Sequence, residues 1–337
     1  MSDAPATTAA APSAPALPDD VVERLRRGAH DARGTMTAET GRALRRAWGA
    51  FHRWCDARGV PALPADAGPV AGYVDVLAAI PGRKPAGIRQ AVWAIGRMHR
   101  LAGAPDPAEA EPVRLALKRM AKALGTRQSQ AAPLGDYEVR RITEATGTSG
   151  GAGASPGPAE LRDVALVLVM RDLLARRSEA VALDVDDISP DPDGSATVLI
   201  RRSKTDQTAE GAELYLSPPA VAALRAWLDA AGIEDGAIFR AVNKGGRVGG
   251  RLRPGDVPRI VKRLALRAGL KPEVVARLSG HSARVGMAQD LVAAGADLAG
   301  VMQAGRWKSP TMPARYTAAL EAKRGAVARF HARRGGN

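Results

Sequence analysis

The sequence contains almost no cysteine and no cluster of metal ligands. Cys55 is the single cysteine among 337 residues, so the chain cannot form an internal disulfide. No group of Cys and His residues has the spacing of zinc ligands, and we therefore predict no metal site. A chain without disulfides suits a reducing compartment, and we expect a cytoplasmic protein.

The sequence also lacks targeting and membrane-spanning segments. Residues 1–18 are rich in Ala, Pro, Thr and Ser, with neither a basic n-region nor an apolar h-region. We expect a disordered tail there, not a signal peptide or an anchor. The longest apolar run, Val164 to Met170, is far too short to cross a bilayer. No association with a membrane is expected.

Positive charge is abundant. The chain has 49 Lys and Arg residues against 35 Asp and Glu residues, a formal net charge of +14. Most of the excess is arginine, whose planar guanidinium can hold a phosphate through two parallel hydrogen bonds. The composition favours a nucleic-acid partner, although proteins that touch membranes, or that are merely soluble, can also be basic.

The length suits two domains, and the first, residues 19–124, is predicted to be helical. One helix is expected to begin near Thr37, with an apolar stripe that contains Leu44, Phe51 and Cys55. A second is expected from about Pro85 to Leu101. Polar side chains outside the apolar stripes are candidate DNA contacts, with a solvated face as the alternative: Arg42, Arg45, Arg46, Arg89 and Gln90.

A polar stretch without helical periodicity, residues 125–133, is interpreted as a linker to a second domain, residues 134–337. That domain should contain helices near Tyr137–Ala145 and Ala159–Leu174, then a β-hairpin within Thr197–Leu216. Ser217-Pro218 is typical of a helix start and Gly232 of its end. The predicted fold is therefore mainly α, with a small antiparallel β-sheet in the second domain.

Chemistry-bearing residues are spread along the second domain. His281 and Arg284 are three residues apart, hence on one face if the segment is helical. Further candidates lie on either side of this pair: Arg176, Glu179 and Lys204 before it, Trp307 and Tyr316 after it. Singly, each could be structural, as an ion-pair partner, a core aromatic ring or a buried helix residue.

Together these residues suit phosphoryl transfer without a metal. Two guanidiniums, Arg176 and Arg284, can meet the negative charge that develops on a phosphodiester under attack. A lysine whose pKa is lowered by neighbouring arginines, Lys204, can protonate the leaving oxygen. A tyrosine nucleophile, Tyr316, needs a nearby proton acceptor such as His281. Glu179, one helical turn from Arg176, could hold the guanidiniums or His281 in place.

The chain resembles the tyrosine recombinase (phage integrase) family. The similarity is strongest in GHSARVGMAQDLVAAGADLAGVMQAGRW and ARYTAAL, and it extends to LARRSEAVALDVDDI, to SKT and to GIRQAVWAIGRMHRLAG in the first half. The resemblance implies a helical core-binding domain and a catalytic domain that clamp double-stranded DNA. It also implies site-specific recombination at inverted-repeat sites by a homotetramer that is monomeric in free solution and associates with the nucleoid when bound to DNA.

The resemblance further implies the roles of single residues. Tyr316 would form a 3′-phosphotyrosyl link, and Arg176, Arg284 and Trp307 would hold the scissile phosphate. Lys204 would be the general acid, with His281 and Glu179 assisting, and no cofactor would be needed. Strands would exchange through a Holliday junction. A last helix, about Leu320 to Arg333, would dock into a neighbouring subunit through Val327 and Phe330.

Three departures from the family pattern are visible. Leu174 stands where a glycine is usual, two residues before Arg176, so the local backbone is expected to differ. Trp307 stands where most relatives carry histidine, and an indole N–H can donate but cannot titrate. Pro313, three residues before Tyr316, is expected to shorten or displace the helix of the tyrosine. The neighbouring Arg177 makes the choice of Arg176 depend on counting back from Ser178-Glu179.

Two other functions remain open from the sequence. One is a catalytically idle DNA-binding protein that keeps the fold, and the other is a relaxing topoisomerase of the type IB kind, which shares the chemistry. For base reading we add a helix near Asp256–Arg267, which would offer Arg259, Lys262 and Arg263 to a major groove.

Overall fold

The protein forms two compact units, residues 1–128 and 129–337. The computed structural model describes residues 18–32, 34–125, 130–148, 156–202, 211–324, 327–328 and 330–331. Each unit has its own buried apolar core, and each is described by itself below.

The first unit contains helices and no strand among its described residues. Its elements are α1 (Asp19–Asp31), α2 (Ala38–Asp56), α3 (Ala67–Ala79), α4 (Pro85–Leu101), a 3-10 turn (Pro107–Glu109) and α5 (Glu111–Leu124). The predicted starts of two helices are confirmed. Thr37 caps α2 by accepting a hydrogen bond from the Thr40 N–H at 3.2 Å, and Pro85 opens α4.

An aromatic cluster and one buried histidine organise the core of the first unit. Phe51 stacks on Trp54 and contacts Tyr73, with ring centroids 6.2 and 5.2 Å apart. His99 accepts a hydrogen bond from the Ala65 N–H at 2.8 Å on Nε2, so its Nδ1 donates to the Ile95 carbonyl at 2.8 Å. Burial lowers the pKa of His99, which keeps the ring neutral in this arrangement.

The second unit combines helices with small antiparallel sheets, as predicted. Its helices are α6 (Asp136–Ala145), α7 (Pro158–Asp172), α8 (Arg177–Ala180), α9 (Pro218–Ala231), α10 (Val257–Arg267), α11 (Pro272–Arg277), α12 (Ser282–Ala293), α13 (Leu298–Gly305) and α14 (Thr311–Arg324). A 3-10 turn (Val185–Asp187) precedes the strands β1 (Ile188–Pro190), β2 (Ala196–Ile200) and β3 (Ala212–Leu216), and β4 (Arg240–Val242) and β5 (Val248–Arg251) follow α9.

The predicted hairpin is confirmed as β2 and β3, which pair antiparallel with Val198 opposite Leu214. The sequence prediction did not include β1, which adds to the other edge of β2 with Ile188 opposite Val198, nor the separate β4–β5 pair. These strands are only three or four residues long, too short to display an alternating pattern.

Helix α7 is central to the core of the second unit. It is buried on nearly all sides, which explains why its sequence is apolar without a clear polar face. Its end is tied to the start of α9, because Asp172 accepts hydrogen bonds from the Ser217 N–H and hydroxyl at 3.0 and 2.5 Å. The predicted start and stop of α9 are confirmed, with Gly232 left-handed at its end.

The expectation that Pro313 shortens or displaces the helix of Tyr316 is wrong. Helix α14 runs from Thr311 to Arg324, and Pro313 lies in its first turn. The N–H groups of a first turn have no carbonyl partner within the helix, so a proline there removes no hydrogen bond. The first helical bond is donated by the Ala314 N–H to the Pro310 carbonyl at 2.9 Å.

The described residues contain neither a candidate membrane span nor a candidate metal site. Among these residues, no helix is both long enough and apolar enough to span a membrane. In the same part of the chain, no group of three or more His, Cys, Asp or Glu side chains could hold a metal ion.

The extended segment before α6 packs closely on α12. The Leu134 N–H donates to the Ser282 carbonyl at 2.9 Å, and a buried Arg171 donates to the Leu134 carbonyl at 2.6 Å and to Asp290 at 2.8 Å. A Cβ at Gly286 would lie 2.1 Å from that same carbonyl oxygen. Only glycine permits this approach without a backbone shift.

We expect Gly286→Ala to destabilise the second unit by about 1–3 kcal/mol, because the added methyl group must push two backbone segments apart. The control is Gly72→Ala on α3, where a Cβ meets nothing within 4 Å. That change should stabilise the first unit by about 0.5–1 kcal/mol, as alanine does in an open helix position. Calorimetric unfolding measures both, and a Gly286→Ala protein as stable as the wild type would contradict the close approach.

Candidate active site

Arg284 is a buried guanidinium that joins the ends of two helices. It lies in α12, and only 2% of its surface is exposed. Its Nη1 donates to the carbonyl of Leu174, just after α7, and its Nη2 to the carbonyl of Gly305, at the end of α13. Carbonyl groups at helix carboxyl ends lack partners within the helix and carry partial negative charge, so they suit a cation.

Both helix ends need a left-handed residue. Leu174 has φ 42° and Arg306 has φ 53°, and no other non-glycine residue in the described part of the chain has positive φ. Such a conformation costs about 1–2 kcal/mol for a residue with a side chain. Leu174 thus adopts a left-handed conformation that glycine favours, and the expectation that its backbone differs from that of relatives stays a prediction.

Glu179 is the carboxylate of this site, and it binds two arginines. Its Oε1 accepts a hydrogen bond from Arg176 Nη1 at 2.6 Å, and its Oε2 accepts from the Arg176 backbone N–H at 2.9 Å. The same Oε2 accepts from Arg306 Nη2 at 2.8 Å. The structure therefore brings Arg176 to Glu179, as counting along the sequence indicated, whereas Arg177 packs beside Gly280.

Arg306 is the residue of this cluster that sequence reasoning missed. Most of its side chain is buried, and neither Nε nor Nη1 has a hydrogen-bond partner among the described residues. Its position directly before Trp307 and directly after a helix-ending glycine was visible in the sequence. The missing signal was its conformation, because an arginine is not expected where a helix end requires positive φ.

Trp307 connects the guanidinium cluster to Tyr316. The Arg284 Cζ lies 4.4 Å from the centroid of the indole, a cation–π contact. The indole meets the Tyr316 ring edge-on, with centroids 5.8 Å apart. Gly305 permits this packing, because a Cβ there would lie 2.0 Å from the indole ring.

The backbone of Tyr316 is held from two directions. Its carbonyl accepts hydrogen bonds from the side-chain amides of Gln289 at 2.8 Å and Gln130 at 3.3 Å. The residue itself is 7% exposed and belongs to an apolar cluster with Leu174, Val285 and Val301. These contacts fix the ring against Trp307.

Two predicted catalytic residues, His281 and Lys204, are not among the residues that form this cluster in the described part of the chain. His281 caps α12 at its start, where its side chain is exposed and its backbone N–H donates to Ser279 Oγ at 3.1 Å. The helix begins one residue later, so His281 and Arg284 are separated by about one turn, but the first is exposed and the second buried. Lys204 lies outside the described residues.

The electrostatics of the site are dominated by like charges. Burial, together with the nearby Arg176, lowers the pKa of Arg284 to about 10, and Glu179 partly offsets the effect. Burial also lowers the pKa of Arg306. A pKa of about 10 leaves Arg284 protonated at neutral pH, and arginine side chains in general keep their charge there. Three positive groups therefore share one carboxylate, and the cluster is suited to an anion of two negative charges.

The predicted DNA contacts of the first unit are exposed. Arg42, Arg45 and Arg46 lie on the outer side of α2, and Arg89 and Gln90 on the outer side of α4. Trp93, one turn beyond Arg89 and Gln90, is 38% exposed and was not predicted. An exposed indole among polar side chains can stack on or contact a nucleic acid.

The predicted base-reading residues of α10 differ in their availability. Arg259 is exposed and pairs with Asp256. Lys262 donates to the Ala276 carbonyl at 3.2 Å, and Arg263 pairs with Asp163, a buried carboxylate that also binds Arg162 at 2.6 Å. Arg263 therefore balances a buried charge within the fold, which leaves Arg259 as the most available of the three.

The chain belongs to the phage integrase family, the tyrosine recombinases. The family profile, described as "Phage integrase family", matches residues 132–323, which is more than half of the chain and contains every member of the cluster. This result agrees with the resemblance inferred from the sequence.

The chain is similar over most of its length to two phage and bacterial proteins. Recombinase cre of Escherichia phage P1 is 27% identical over 345 residues, covering 94% of this chain and 95% of the relative. The integrase/recombinase xerD homolog of Selenomonas ruminantium is 30% identical over 282 residues, covering 80% of this chain and 78% of the relative.

Solved structures share the fold. The Tn1549 transposon integrase, in complex with a circular intermediate DNA, has a TM-score of 0.60 at 13% identity and covers 91% of this chain and 98% of its own. The XerH site-specific recombinase, bound to its palindromic difH substrate after cleavage, has a TM-score of 0.56 at 20% identity and covers 78% and 72%.

We expect Glu179→Gln to destabilise the second unit by about 3 kcal/mol, because the change leaves buried guanidiniums without their carboxylate. The control is Glu160→Gln, which removes a carboxylate that contacts Arg267 at 2.8 Å on the surface. Its loss should cost less than about 1 kcal/mol. Urea unfolding measures both changes. Equal stability of the two variants would show that Glu179 does not hold the cluster together.

Proposed function

We propose that this protein is a site-specific DNA recombinase that cleaves and rejoins DNA through a covalent bond to Tyr316. One observation carries the proposal. In a chain of the phage integrase family, Tyr316 packs on Trp307, Trp307 on Arg284, and Arg284 lies among Arg176, Arg306 and Glu179. Four separate segments contribute these residues.

The proposed reaction is a transesterification. The Tyr316 oxygen attacks the scissile phosphorus and loses its proton to an acceptor, for which His281 is our candidate. The bond between phosphorus and the 5′ oxygen breaks, and that oxygen takes a proton from Lys204. The products are a 3′-phosphotyrosine and a 5′ hydroxyl. Because one phosphate ester replaces another, a 5′ hydroxyl can reverse the step without ATP, and we expect no cofactor.

The cluster supports this reaction electrostatically. Negative charge grows on the non-bridging oxygens during attack, and fixed guanidiniums stabilise it where it develops. Arg176 and Arg284 are the proposed phosphate ligands, and the Trp307 N–H is a further donor. Glu179 is the proposed positioning residue, because it binds both Arg176 and Arg306.

The two units are proposed to have different roles. Residues 19–124 are the core-binding domain, with Arg42, Arg45, Arg46, Arg89 and Gln90 toward DNA. Residues 134–337 are the catalytic domain, with Arg259 as a base-reading candidate beside Lys262 and Arg263, and residues 125–133 connect them. The proposed partner is double-stranded DNA with inverted-repeat sites, and the protein works in the cytoplasm, on the nucleoid when bound.

Two experiments on one preparation test the chemistry. Wild-type protein and Tyr316→Phe are incubated with fragmented genomic DNA, without metal or ATP, and covalent adducts are trapped with denaturant and sequenced. We expect adducts only with the wild type, at discrete sites. The phenylalanine variant keeps the ring that packs on Trp307, so its DNA affinity in a filter-binding assay should match the wild type.

The outcomes separate the competing functions. DNA that the protein binds but never attaches to would favour the idle DNA-binding alternative. Adducts spread without site preference, together with relaxation of supercoiled plasmid by a monomer, would favour a topoisomerase. Adducts that persist in Tyr316→Phe would refute the proposed nucleophile.

Assembly on DNA is a separate prediction. Val327 and Phe330 are 73% and 53% exposed near the carboxyl end, and we propose that they dock into a neighbouring subunit. The double change Val327→Ala and Phe330→Ala should leave binding of one subunit to a half-site unchanged, but abolish the four-subunit complex in native mass spectra. The control is Leu266→Ala, 60% exposed on α10, which should assemble normally.

A further inference from the structure

We propose that Arg306 is a third phosphate-binding guanidinium of this active site, which donates through Nε and Nη1 to the scissile phosphate. The inference rests on the proposed function and deepens it. Only one of the three nitrogens of Arg306, Nη2, has a partner among the described residues, namely Glu179. The other two are buried donors without an acceptor.

Unpaired buried donors are unfavourable, and those of a charged group most of all. An acceptor is therefore expected to complete the set when the protein acts. The charges around Arg306 indicate that this acceptor is an anion. Arg176 and Arg284 both lie near enough to interact electrostatically with this cluster, and Glu179 is the only nearby carboxylate among the described residues. An anion that enters beside Arg306 could accept hydrogen bonds from Nε and Nη1, the two donors that lack a partner.

The balance of charge agrees with this assignment. Three guanidiniums and one carboxylate leave two positive charges uncompensated. A phosphodiester carries one negative charge, and the five-coordinate arrangement formed during attack carries two. Without Arg306 the net charge of the described cluster would be +1, which matches the charge of the substrate phosphate. With Arg306 the net charge is +2, which matches the charge of the transition state. Interactions that strengthen at the transition state are those that accelerate a reaction.

The backbone supplies a second, independent argument. Arg306 stands in the left-handed position that ends α13, with its N–H donating to the Gln303 carbonyl at 3.0 Å and the next N–H to Met302 at 2.9 Å. Glycine would make the same helix end without strain. A strained residue with a buried charge is expected where the side chain acts on a ligand.

The central variant is Arg306→Gly, which removes the guanidinium and relieves the backbone. We expect it to fold with an unchanged or higher melting temperature and to bind the target duplex nearly as well as the wild type. Its single-turnover rate of adduct formation should fall about 100-fold. Arg306→Lys, which keeps the charge without the planar fork, should recover part of that rate. Arg225→Gln removes one exposed positive charge on α9 and should cleave normally.

A modified substrate distinguishes phosphate binding from a positioning role through Glu179. The duplex recovered from the trapped adducts is synthesised with a neutral methylphosphonate at the scissile position. If Arg306 acts on phosphate charge, the wild type and Arg306→Gly should react with this duplex at rates within a few-fold of each other. A defect that remains about 100-fold on the neutral substrate would overturn the inference and assign Arg306 to positioning.

A final measurement does not depend on cleavage. Inorganic phosphate is titrated into the free protein, and the rise in melting temperature is recorded. Arg306→Gly should show a smaller rise than both the wild type and Arg225→Gln. Equal rises in all three would refute the inference even if the wild type cleaves DNA. A smaller rise with no wild-type adduct would support the anion site and reject the proposed recombinase.

Discussion

The candidate active site depends on the buried guanidinium of Arg284, which is hydrogen-bonded to the carboxyl ends of two helices. The carbonyl at the end of α7 precedes Arg176 and Glu179 by a few residues, and the carbonyl at the end of α13 precedes Arg306 and Trp307 directly. By fixing both ends, Arg284 brings the two segments together. The Arg284 guanidinium also packs on the Trp307 indole, and the indole in turn contacts the Tyr316 ring. One side chain therefore positions both the proposed phosphate-binding groups and the proposed nucleophile.

The same buried positive charges that suit the cluster to an anion lower the stability of the folded second unit. Buried like charges oppose folding, and a single carboxylate, Glu179, offsets only part of their repulsion. The core around α7 and the salt bridge between Arg171 and Asp290 must supply the remaining stability. On the proposed function, a phosphate bound among these guanidiniums would relieve the repulsion, and DNA binding would then be thermodynamically linked to the stability of the second unit. The same positive field draws DNA toward the site from a distance.

Much of this could be predicted from the sequence, and the exceptions have physical reasons. Helices α2, α4, α9 and α10 were predictable because their caps and apolar periodicity agree with one another. The strands β1, β4 and β5 were not, since their pairing depends on distant partners. In the site, residue types and order indicated Arg176, Arg284, Trp307 and Tyr316. The partners of Arg284 are backbone carbonyls, which every residue has, so no sequence signal could indicate them. Arg306 was missed for a different reason, because an arginine is not expected in the left-handed position that ends a helix.

The left-handed backbone at Arg306 has an evolutionary consequence. Selection for folding alone favours glycine at this position, since glycine removes both the strain and a buried charge. A lineage that kept the fold for DNA binding but lost strand cleavage would be expected to drift to glycine here while retaining its core. If Arg306 binds phosphate as proposed, an arginine at this helix end marks a chain that still cleaves DNA.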